Sequence, residues 1–382
     1  MGHRHVAGEY QGAASVSGRG GAPFIPGLQL CESFYYEVVR PILDSELPSL
    51  HYAAALIGDG SDVLGLDDRQ STDHDWGPRL LLFLSEPDRA RYAPLVDAAL
   101  RNCLPARFRG YPTAFCRAED DRVMTLDYGG AVSTTHGVQV HSVGGFLADY
   151  LGVQHREAPG VAEWLTLSEQ KLLGFTSGAV YRDDVGLQEA RDRFSYYPHD
   201  VWLYLMAAGW TRIGQEEHLV GRAGSVGDEL GSAIIGSRLV RDIMRLSFLM
   251  EKQYAPYPKW LGTAFRRLSC SDDLLPELRN AVLAETWRQR EVCLARAYEC
   301  LARMHNDLAV TSPLPTAVTG FHDRPYLVIG GGRFAEALLR AVVDPDVTRL
   351  ISRPIIGGLD QITDSTDLAS CREYQDALKA LY

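Results

Sequence analysis

The stretch that decides the fold is GSDVLGLDDRQSTDHDWGPRLLLFL, residues 60–84 of a 382-residue chain. It ends in an apolar run, Arg79–Leu84, which is typical of a strand buried on both faces. It opens on a Gly-Ser pair, Gly60 and Ser61, and an Asp-x-Asp pair, Asp73 and Asp75, comes shortly before the strand. A flexible loop, two carboxylates and a buried strand therefore follow one another within this stretch.

These residue types together predict a phosphate cradle beside a metal site. Alternate residues of a strand share a face, so Asp73 and Asp75 are expected to converge on one cation. Mg²⁺ prefers one or two carboxylates together with the phosphate oxygens of a substrate. Gly60 lets the backbone pass close to a phosphate, and Ser61 adds a hydroxyl and an amide at an expected helix start. The alternative is a polar turn in which Ser71, Thr72 and Asp73 only cap an element.

Secondary-structure patterns change about midway along the chain. In the first part we predict the following helices and strands: a helix over 28–42, a short apolar strand or a helix end at 53–58, a helix at 87–103, and strands at 79–84, 122–127 and 137–143. Beyond Pro159 apolar residues recur at helical spacing, and we predict these helices: 164–173, 200–213, 233–254, 273–306 and 333–343. A strand is predicted at 326–329, and Gly330–Gly332 as a tight turn.

The predicted fold class is therefore α+β, with a mixed sheet followed by a helical bundle. Residues 1–25 read as a flexible tail. We place the mixed-sheet domain at 26–157, the helical domain at 158–312 and a C-terminal mixed segment, packed on the helical domain, at 313–382.

Composition narrows the class of protein. Hydrophobic residues make up 46% and charged residues 23% of the chain, which excludes a disordered or collagen-like chain. The net charge of −11 disfavours generic nucleic-acid binding. We expect no membrane span, because no apolar run approaches about 20 residues. The seven cysteines form no Cys-x-x-Cys pair and no secretory signal is visible, so a cytoplasmic protein with reduced thiols is expected.

The Gly-Ser and Asp-x-Asp pattern resembles that of the polymerase-β-like nucleotidyltransferase superfamily. Residues 60–83, 196–222 and 238–265 also resemble a bacterial family described only as a domain of unknown function, and the two-domain plan resembles the aminoglycoside (kanamycin-type) nucleotidyltransferases. The resemblance implies that Asp73 and Asp75 hold two Mg²⁺ ions and that Gly60 and Ser61 receive the triphosphate of an NTP, with ATP the expected one. The implied reaction transfers a nucleoside monophosphate to a small-molecule acceptor, for which the acidic chain favours a cation.

Two residues of the helical domain are further candidates for binding the nucleotide. Arg241 shares a helix face with Arg238 and Arg245, and arginine forms bidentate contacts with phosphate; the alternative is a set of ion pairs. Lys259 lies between prolines and Trp260, and in related helical domains a lysine in such a loop approaches the phosphates. Glu216 and Glu217 are expected either to bind a cationic group or to be solvated at a helix end, and no oligomeric state can be read from the sequence.

The sequence departs from the superfamily at two positions. His74 stands between the aspartates, where an apolar residue is usual. The superfamily also has a third carboxylate on a neighbouring strand. At that place the strand 137–141 has Gln139, which is either the natural residue or an engineered substitution. An amide cannot accept a proton at neutral pH, so Asp127 is the rival candidate for the base. The alternatives are a catalytically impaired nucleotide-binding protein and a nucleotidyltransferase that acts on a protein or tRNA.

Overall fold

The computed structural model describes residues 23–117, 124–129, 134–154 and 158–382. Its strands are β1 (Ala53–Leu56), β2 (Arg79–Leu84), β3 (Arg107–Phe108), β4 (Tyr111–Pro112), β5 (Ala114–Arg117), β6 (Met124–Leu126), β7 (Thr135–Ser142), β8 (Ala179–Asp183), β9 (Thr319–Phe321) and β10 (Arg324–Val328). Six of them form one mixed sheet in the order β6-β5-β7-β2-β1-β8. The remaining strands form two hairpins, β3-β4 and β9-β10.

The centre of the sheet is a parallel pair. In it β2 and β7 run side by side, with Arg79 opposite Gly137 and Leu81 opposite Gln139. The other neighbouring strands are antiparallel. The edge strand β8 comes from the segment predicted to be helical, so at least this part of residues 158–312 completes the sheet. The division into domains otherwise stays a prediction.

Helices precede and follow the central strands. They are α1 (Gly27–Phe34), α2 (Arg40–Glu46), α3 (Glu86–Cys103), α4 (Val143–Phe146), α5 (Val161–Thr166), α6 (Glu169–Thr176) and α7 (Leu187–Asp192). A π-helical turn at Tyr35–Val39 joins α1 to α2, and another at Leu147–Leu151 extends α4. The predicted helix 164–173 is in fact two helices, α5 and α6, because the backbone is extended at Leu167 and Ser168.

The second half of the chain is mostly helical, as predicted. Its helices are α8 (His199–Glu216), α9 (Leu219–Ser225), α10 (Glu229–Met250), α11 (Pro258–Phe265), α12 (Ser271–Leu283), α13 (Trp287–Asp307), α14 (Gly331–Ala341), α15 (Pro345–Ile351), α16 (Leu359–Ile362), α17 (Thr366–Ser370) and α18 (Arg372–Leu378). The single helix predicted over 273–306 is wrong, because Ala284 is extended and the Thr286 side chain caps a new helix. The mixed α/β content agrees with the predicted class.

The two faces of the sheet pack against different cores. Leu80, Leu82 and Val138 point to a core shared with α1, α2 and α3. Leu81 and Phe83 point the other way, into a larger core that continues into α8, α10 and α13. This second face also carries Gln139, which is exposed. Within the described ranges, no helix is long and apolar enough to cross a membrane.

Candidate functional site

An ion pair beneath the loop that follows β1 fixes the conformation of that loop. Gly60 has a φ of 135°, which favours glycine, and a Cβ atom there would collide with Asp62 Oδ1 and Arg79 Nη2. Arg79 Nη2 lies 2.7 Å from Asp62 Oδ1, and Arg79 Nε donates to Asp62 Oδ2 at 3.2 Å. Burial alone would lower the pKa of the Arg79 guanidinium, but the charge and hydrogen bonds of the buried Asp62 raise it overall. Gly60 therefore lies over a fixed ion pair.

The loop presents donors that the protein itself leaves unused. The Ser61 carbonyl accepts the N–H of Leu66 at 2.9 Å, which closes the turn. Over the residues that the structure describes, no hydrogen bond uses the amide N–H of Gly60 or Ser61, or the Ser61 hydroxyl. Gly60 and Ser61 are also partly exposed. These groups are the donors expected of a phosphate-binding loop.

Asp73 and Asp75 do not lie in a strand, so that prediction is wrong. Asp73 ends a short 3₁₀ helix, Gln70–Asp73, and Asp75 has a φ of 45°. Strand β2 begins only after Gly77, which has a φ of 133°, and Pro78, which has no N–H for a ladder. Asp75 is instead tied to β6: its N–H donates to the Met124 carbonyl at 2.7 Å, and its Oδ1 accepts the Met124 N–H at 3.0 Å.

The carboxylates of Asp73 and Asp75 are the groups of this loop whose chemistry suits Mg²⁺. The Asp73 side chain is 64% exposed and lies 3.1 Å from His74 Nδ1, and the Oδ2 atom of Asp75 is not used in its bond to Met124. Across residues 23–117, 124–129, 134–154 and 158–382, no group of three or more His, Cys, Asp or Glu residues could hold a metal by itself. Two carboxylates plus substrate phosphates are a common Mg²⁺ environment, so the loop fits an ion that the substrate helps to bind.

Gln139 and Asp127 differ in their relation to this loop. Gln139 is exposed on β7 opposite Leu81, whereas Val138 is buried on the other face, as the alternation predicts. In this register Gln139 lies opposite the third residue of β2, whereas Asp75 lies in the loop that precedes β2. Asp127 comes three residues after Met124, to which Asp75 is bonded, and its Oδ1 accepts the N–H of Gly129 at 2.9 Å. Asp127 is thus closer in sequence than Gln139 to the residue that Asp75 contacts.

Lys259 lies near the acidic loop, in the second position of α11. Hydrogen bonds from Ser71, with a smaller contribution from the charge of Lys259, lower the pKa of the Asp68 carboxyl. Lys259 Nζ also lies 4.9 Å from the centre of the Trp260 ring. Arg267, just after α11, donates to the carbonyls of Leu64 and Gly65 at 3.3 and 2.6 Å. The segment just after α11 is therefore in direct contact with the loop that carries Gly60 and Ser61.

Arg241 is placed differently from the prediction that it binds phosphate. Its guanidinium forms an ion pair with Asp364 of the C-terminal segment, and Arg245 of the same helix face pairs with the buried Glu169. Arg238 pairs with Glu216 at 2.6 Å. The alternative, a set of ion pairs between segments, is the arrangement observed. The predicted nucleotide contact of Arg241 is not supported, because its charge is already paired.

Glu217 has a structural role that the sequence did not indicate. Its buried carboxylate accepts N–H groups from Ile329, Gly330 and Gly331 at 2.6, 3.1 and 3.1 Å. Gly330 has a φ of 71°, and the three amides converge at the start of α14. The glycine run thus binds an anion supplied by the chain itself.

Sequence reasoning missed a polar group beside the Gly-Ser loop. The Tyr150 hydroxyl donates to Asp59 Oδ1 at 3.0 Å, and burial raises the Tyr150 pKa well above its ordinary value, as does the Asp59 charge. Lys171 Nζ lies 5.7 Å from the Tyr150 ring centre, and burial lowers the Lys171 pKa. These residues are far apart in the sequence and form no motif, so only the fold brings them together.

A groove of about 390 Å³ lies between the loop and the helical half. Leu64 and Leu66 line it on the loop side, and Phe248 and Glu251 line it on the helical side. Burial acts to raise the pKa of Glu251, but hydrogen bonds from the amides of Ser269 and Cys270 lower it overall. The groove thus combines apolar side chains with one negative charge, that of Glu251, and one positive charge, that of Arg267.

Part of the chain matches a known family, and the chain as a whole is similar to a solved structure. Residues 164–261 match a family described as a domain of unknown function (DUF4037). Among solved structures, the chain is similar to a nucleotidyltransferase-like protein from Exiguobacterium sibiricum, at 14% sequence identity and a TM-score of 0.32, over 86% of this chain and 90% of that one. No curated protein sequence matches the chain.

Proposed function

We propose that the protein is a Mg²⁺-dependent nucleotidyltransferase that transfers a nucleoside monophosphate from an NTP, with ATP the expected donor, to a small-molecule acceptor. The observation that carries the proposal is the loop at Gly60 and Ser61. It presents unused amide and hydroxyl donors, it is fixed by the Arg79–Asp62 ion pair, and it precedes two carboxylates suited to Mg²⁺.

The residues have the following roles in this reaction. Gly60 and Ser61 hold the triphosphate, and Lys259 neutralises part of its charge. An oxygen of the acceptor forms a bond to the α-phosphorus, the bond from that phosphorus to the pyrophosphate oxygen breaks, and the acceptor proton passes to a base. Asp73 and Asp75 would hold Mg²⁺, which stabilises the charge on the attacking and leaving oxygens. The chain connectivity favours Asp127 as the base.

The groove between loop and helices is the proposed acceptor site. Its apolar lining, with Leu64, Leu66 and Phe248, suits the body of a small organic molecule. The carboxylate of Glu251 suits a cationic group on that molecule, in line with the acidic composition. Nucleic acid is a poorer fit, because the net charge of −11 opposes a polyanion.

A second candidate function is nucleotide binding without transfer. The amide at Gln139 favours it, because an amide at the place of the superfamily's third carboxylate accepts no proton. In that case the loop would bind Mg²⁺–NTP, but pyrophosphate would not be released.

One experiment separates the two candidates. The protein is incubated with each of the four α-labelled NTPs, Mg²⁺ and a panel of small amines and amino sugars, and both pyrophosphate and labelled adducts are measured. Transfer predicts both products, and Asp73→Asn and Asp75→Asn should lose them while Asp346→Asn, an exposed aspartate on α15, should not. Binding of NTP without either product supports the second candidate. Failure of the wild type to bind any NTP in Mg²⁺ would sink both.

A further inference from the structure

Lys259 is carried by a segment that has little regular structure of its own. Between the end of α10 and the start of α11 the chain runs through residues 251–257, with Pro256 and Pro258 close to its end. Proline restricts φ but also removes amide donors, so such a segment depends on other elements for its hydrogen bonds. The first turn of α6 supplies two such hydrogen bonds.

Two adjacent side chains of α6 bind the backbone of this segment. Glu169 Oε2 accepts the N–H of Ala255 at 2.8 Å, and Gln170 Oε1 accepts the N–H of Tyr257 at 2.9 Å. Glu169 is buried and is itself held by Arg245 Nη1 at 3.4 Å. The Tyr257 bond is the last tether before α11, two residues ahead of Lys259.

The opposite end of α6 is bonded to the Gly-Ser loop. The N–H of Gly58 donates to the Gly174 carbonyl at 2.9 Å. A Cβ atom at Gly174 would lie 2.6 Å from the Gly58 carbonyl oxygen, so the two backbones are in close contact. Between the two ends, Lys171 lies close enough to Asp59 for the carboxylate to raise its pKa against the lowering effect of burial. One short helix thus binds the backbone at Gly58, two residues before Gly60, and at Tyr257, two residues before Lys259.

We propose that α6 sets the spacing between the Gly60–Ser61 loop and Lys259, and that Gln170 is a positioning residue for Lys259. The inference rests on the proposed function, since Lys259 is taken to meet the triphosphate. A helix rises 1.5 Å per residue and is stiff over this length. Gln170 and Gly174, which are four positions apart, are therefore held about 6 Å apart along the helix axis. Gln170 touches no substrate and acts through the Tyr257 amide.

The test compares the wild type with five variants. Gln170→Ala removes the acceptor of the Tyr257 N–H, whereas Gln170→Glu keeps an acceptor oxygen in place. Gln289→Ala is the matched control, because Gln289 Oε1 also accepts a backbone N–H, from Thr286 at 3.3 Å, at the start of α13. Lys259→Ala, alone and combined with Gln170→Ala, shows whether the effect passes through Lys259.

Two measurements are made on each protein. Hydrogen exchange over residues 254–260, measured without nucleotide, reports the hydrogen bond between the Tyr257 N–H and Gln170. This segment should exchange faster in Gln170→Ala than in the wild type. In Gln170→Glu and Gln289→Ala it should exchange at the wild-type rate. The affinity for Mg²⁺–ATP should fall roughly two- to tenfold in Gln170→Ala, the worth of one hydrogen bond. Gln170→Glu should restore it, and Gln170→Ala should add nothing in the Lys259→Ala background.

The outcomes distinguish the positioning role from the function on which it rests. Faster exchange in Gln170→Ala with wild-type ATP affinity would overturn the positioning role while leaving the proposed function standing. Additive losses in the double variant would also overturn it, because Gln170 would then act by another route. Absence of ATP binding by the wild type would refute the proposed function itself and, with it, the assignment of Gln170.

Discussion

Arg79 and Asp62 form a two-point ion pair directly beneath Gly60, with Nη2 2.7 Å from Oδ1 and Nε 3.2 Å from Oδ2. The pair links the first residue of β2 to the loop after β1, and its carboxylate is completely buried. Arg79 Nη2 also donates to the Asp59 carbonyl at 2.9 Å. The shape of the loop therefore depends on an ion pair whose carboxylate, that of Asp62, is not accessible to solvent.

Replacing Asp62 by alanine should destabilise the protein strongly. Removing one partner of a buried pair leaves the other charge uncompensated, which costs about 3–5 kcal/mol. The free energy of unfolding in urea measures the loss. Glu336→Gln is the control, since it breaks an exposed ion pair to Arg340 on α14 and should change stability little. Equal effects of the two substitutions would show that the Arg79–Asp62 pair is not structural.

Gly60→Ala should damage both the fold and nucleotide binding. The residue has a φ of 135°, and the added Cβ would displace Asp62 and Arg79. Such a backbone conformation costs of order 1–3 kcal/mol for a residue other than glycine. Gly332→Ala is the control, because a Cβ there meets nothing within 4 Å and lies in α14. Thermal unfolding and Mg²⁺–ATP affinity are the measurements; an unchanged affinity in Gly60→Ala would argue against the phosphate cradle.

Glu169 should make the stability fall as the pH rises toward neutral. Burial raises the pKa of its carboxyl from 4.5 to about 7, with the charge of Asp360 adding to the effect and that of Arg245 opposing it. The folded state therefore keeps this proton where the unfolded chain has lost it. The resulting stabilisation is complete below about pH 4.5 and is lost as the pH passes about 7, a change of up to about 3 kcal/mol.

The measurement is the free energy of unfolding from pH 5 to pH 8, in the wild type and in Glu169→Gln. The variant cannot ionise at this position, so its curve should fall less steeply over that range. Asp360, whose pKa burial also raises, interacts with Glu169, so the difference between the two curves reports the titration of this pair of carboxyls. Parallel curves would mean that Glu169 ionises at a similar pH in the folded and unfolded states.

The sequence predicts the local structure well because that structure follows from short-range patterns. The apolar run Arg79–Leu84 forms β2 with the predicted bounds, and the helix predicted over 233–254 is observed as Glu229–Met250. Helical periodicity and the hydrophobicity of a strand depend on residues that are close in sequence, so they can be recognised without knowing the fold. The strand bounds at β1, β6 and β7 are right to within a few residues for the same reason.

The candidate site was less predictable because it depends on contacts distant in sequence. The positive φ of Asp75 follows from its bonds to Met124, and the charge of Arg241 is taken by Asp364. Spacing on a helix shows that Arg241 and Arg245 share a face, but it does not show which partners cover that face. Such partners are visible only once the chain is folded.

The last prediction concerns the base, for which Gln139 and Asp127 are the candidates. Restoring a base at its proper place typically gains 10²–10⁴-fold in rate. Gln139 pairs with Leu81, within β2, whereas the carboxylates lie before β2, and Asp75 is bonded to Met124, close in sequence to Asp127. We therefore expect Gln139→Glu to gain no more than a few-fold, and Asp127→Asn to lose on the order of 10²–10⁴-fold in kcat with Mg²⁺–ATP affinity retained. Because the Asp127 side chain also accepts the Gly129 N–H, Asp127→Asn keeps an oxygen there and so tests basicity rather than the turn. A large gain in Gln139→Glu would place the base on β7 and identify the glutamine as the reason for a weak or absent activity.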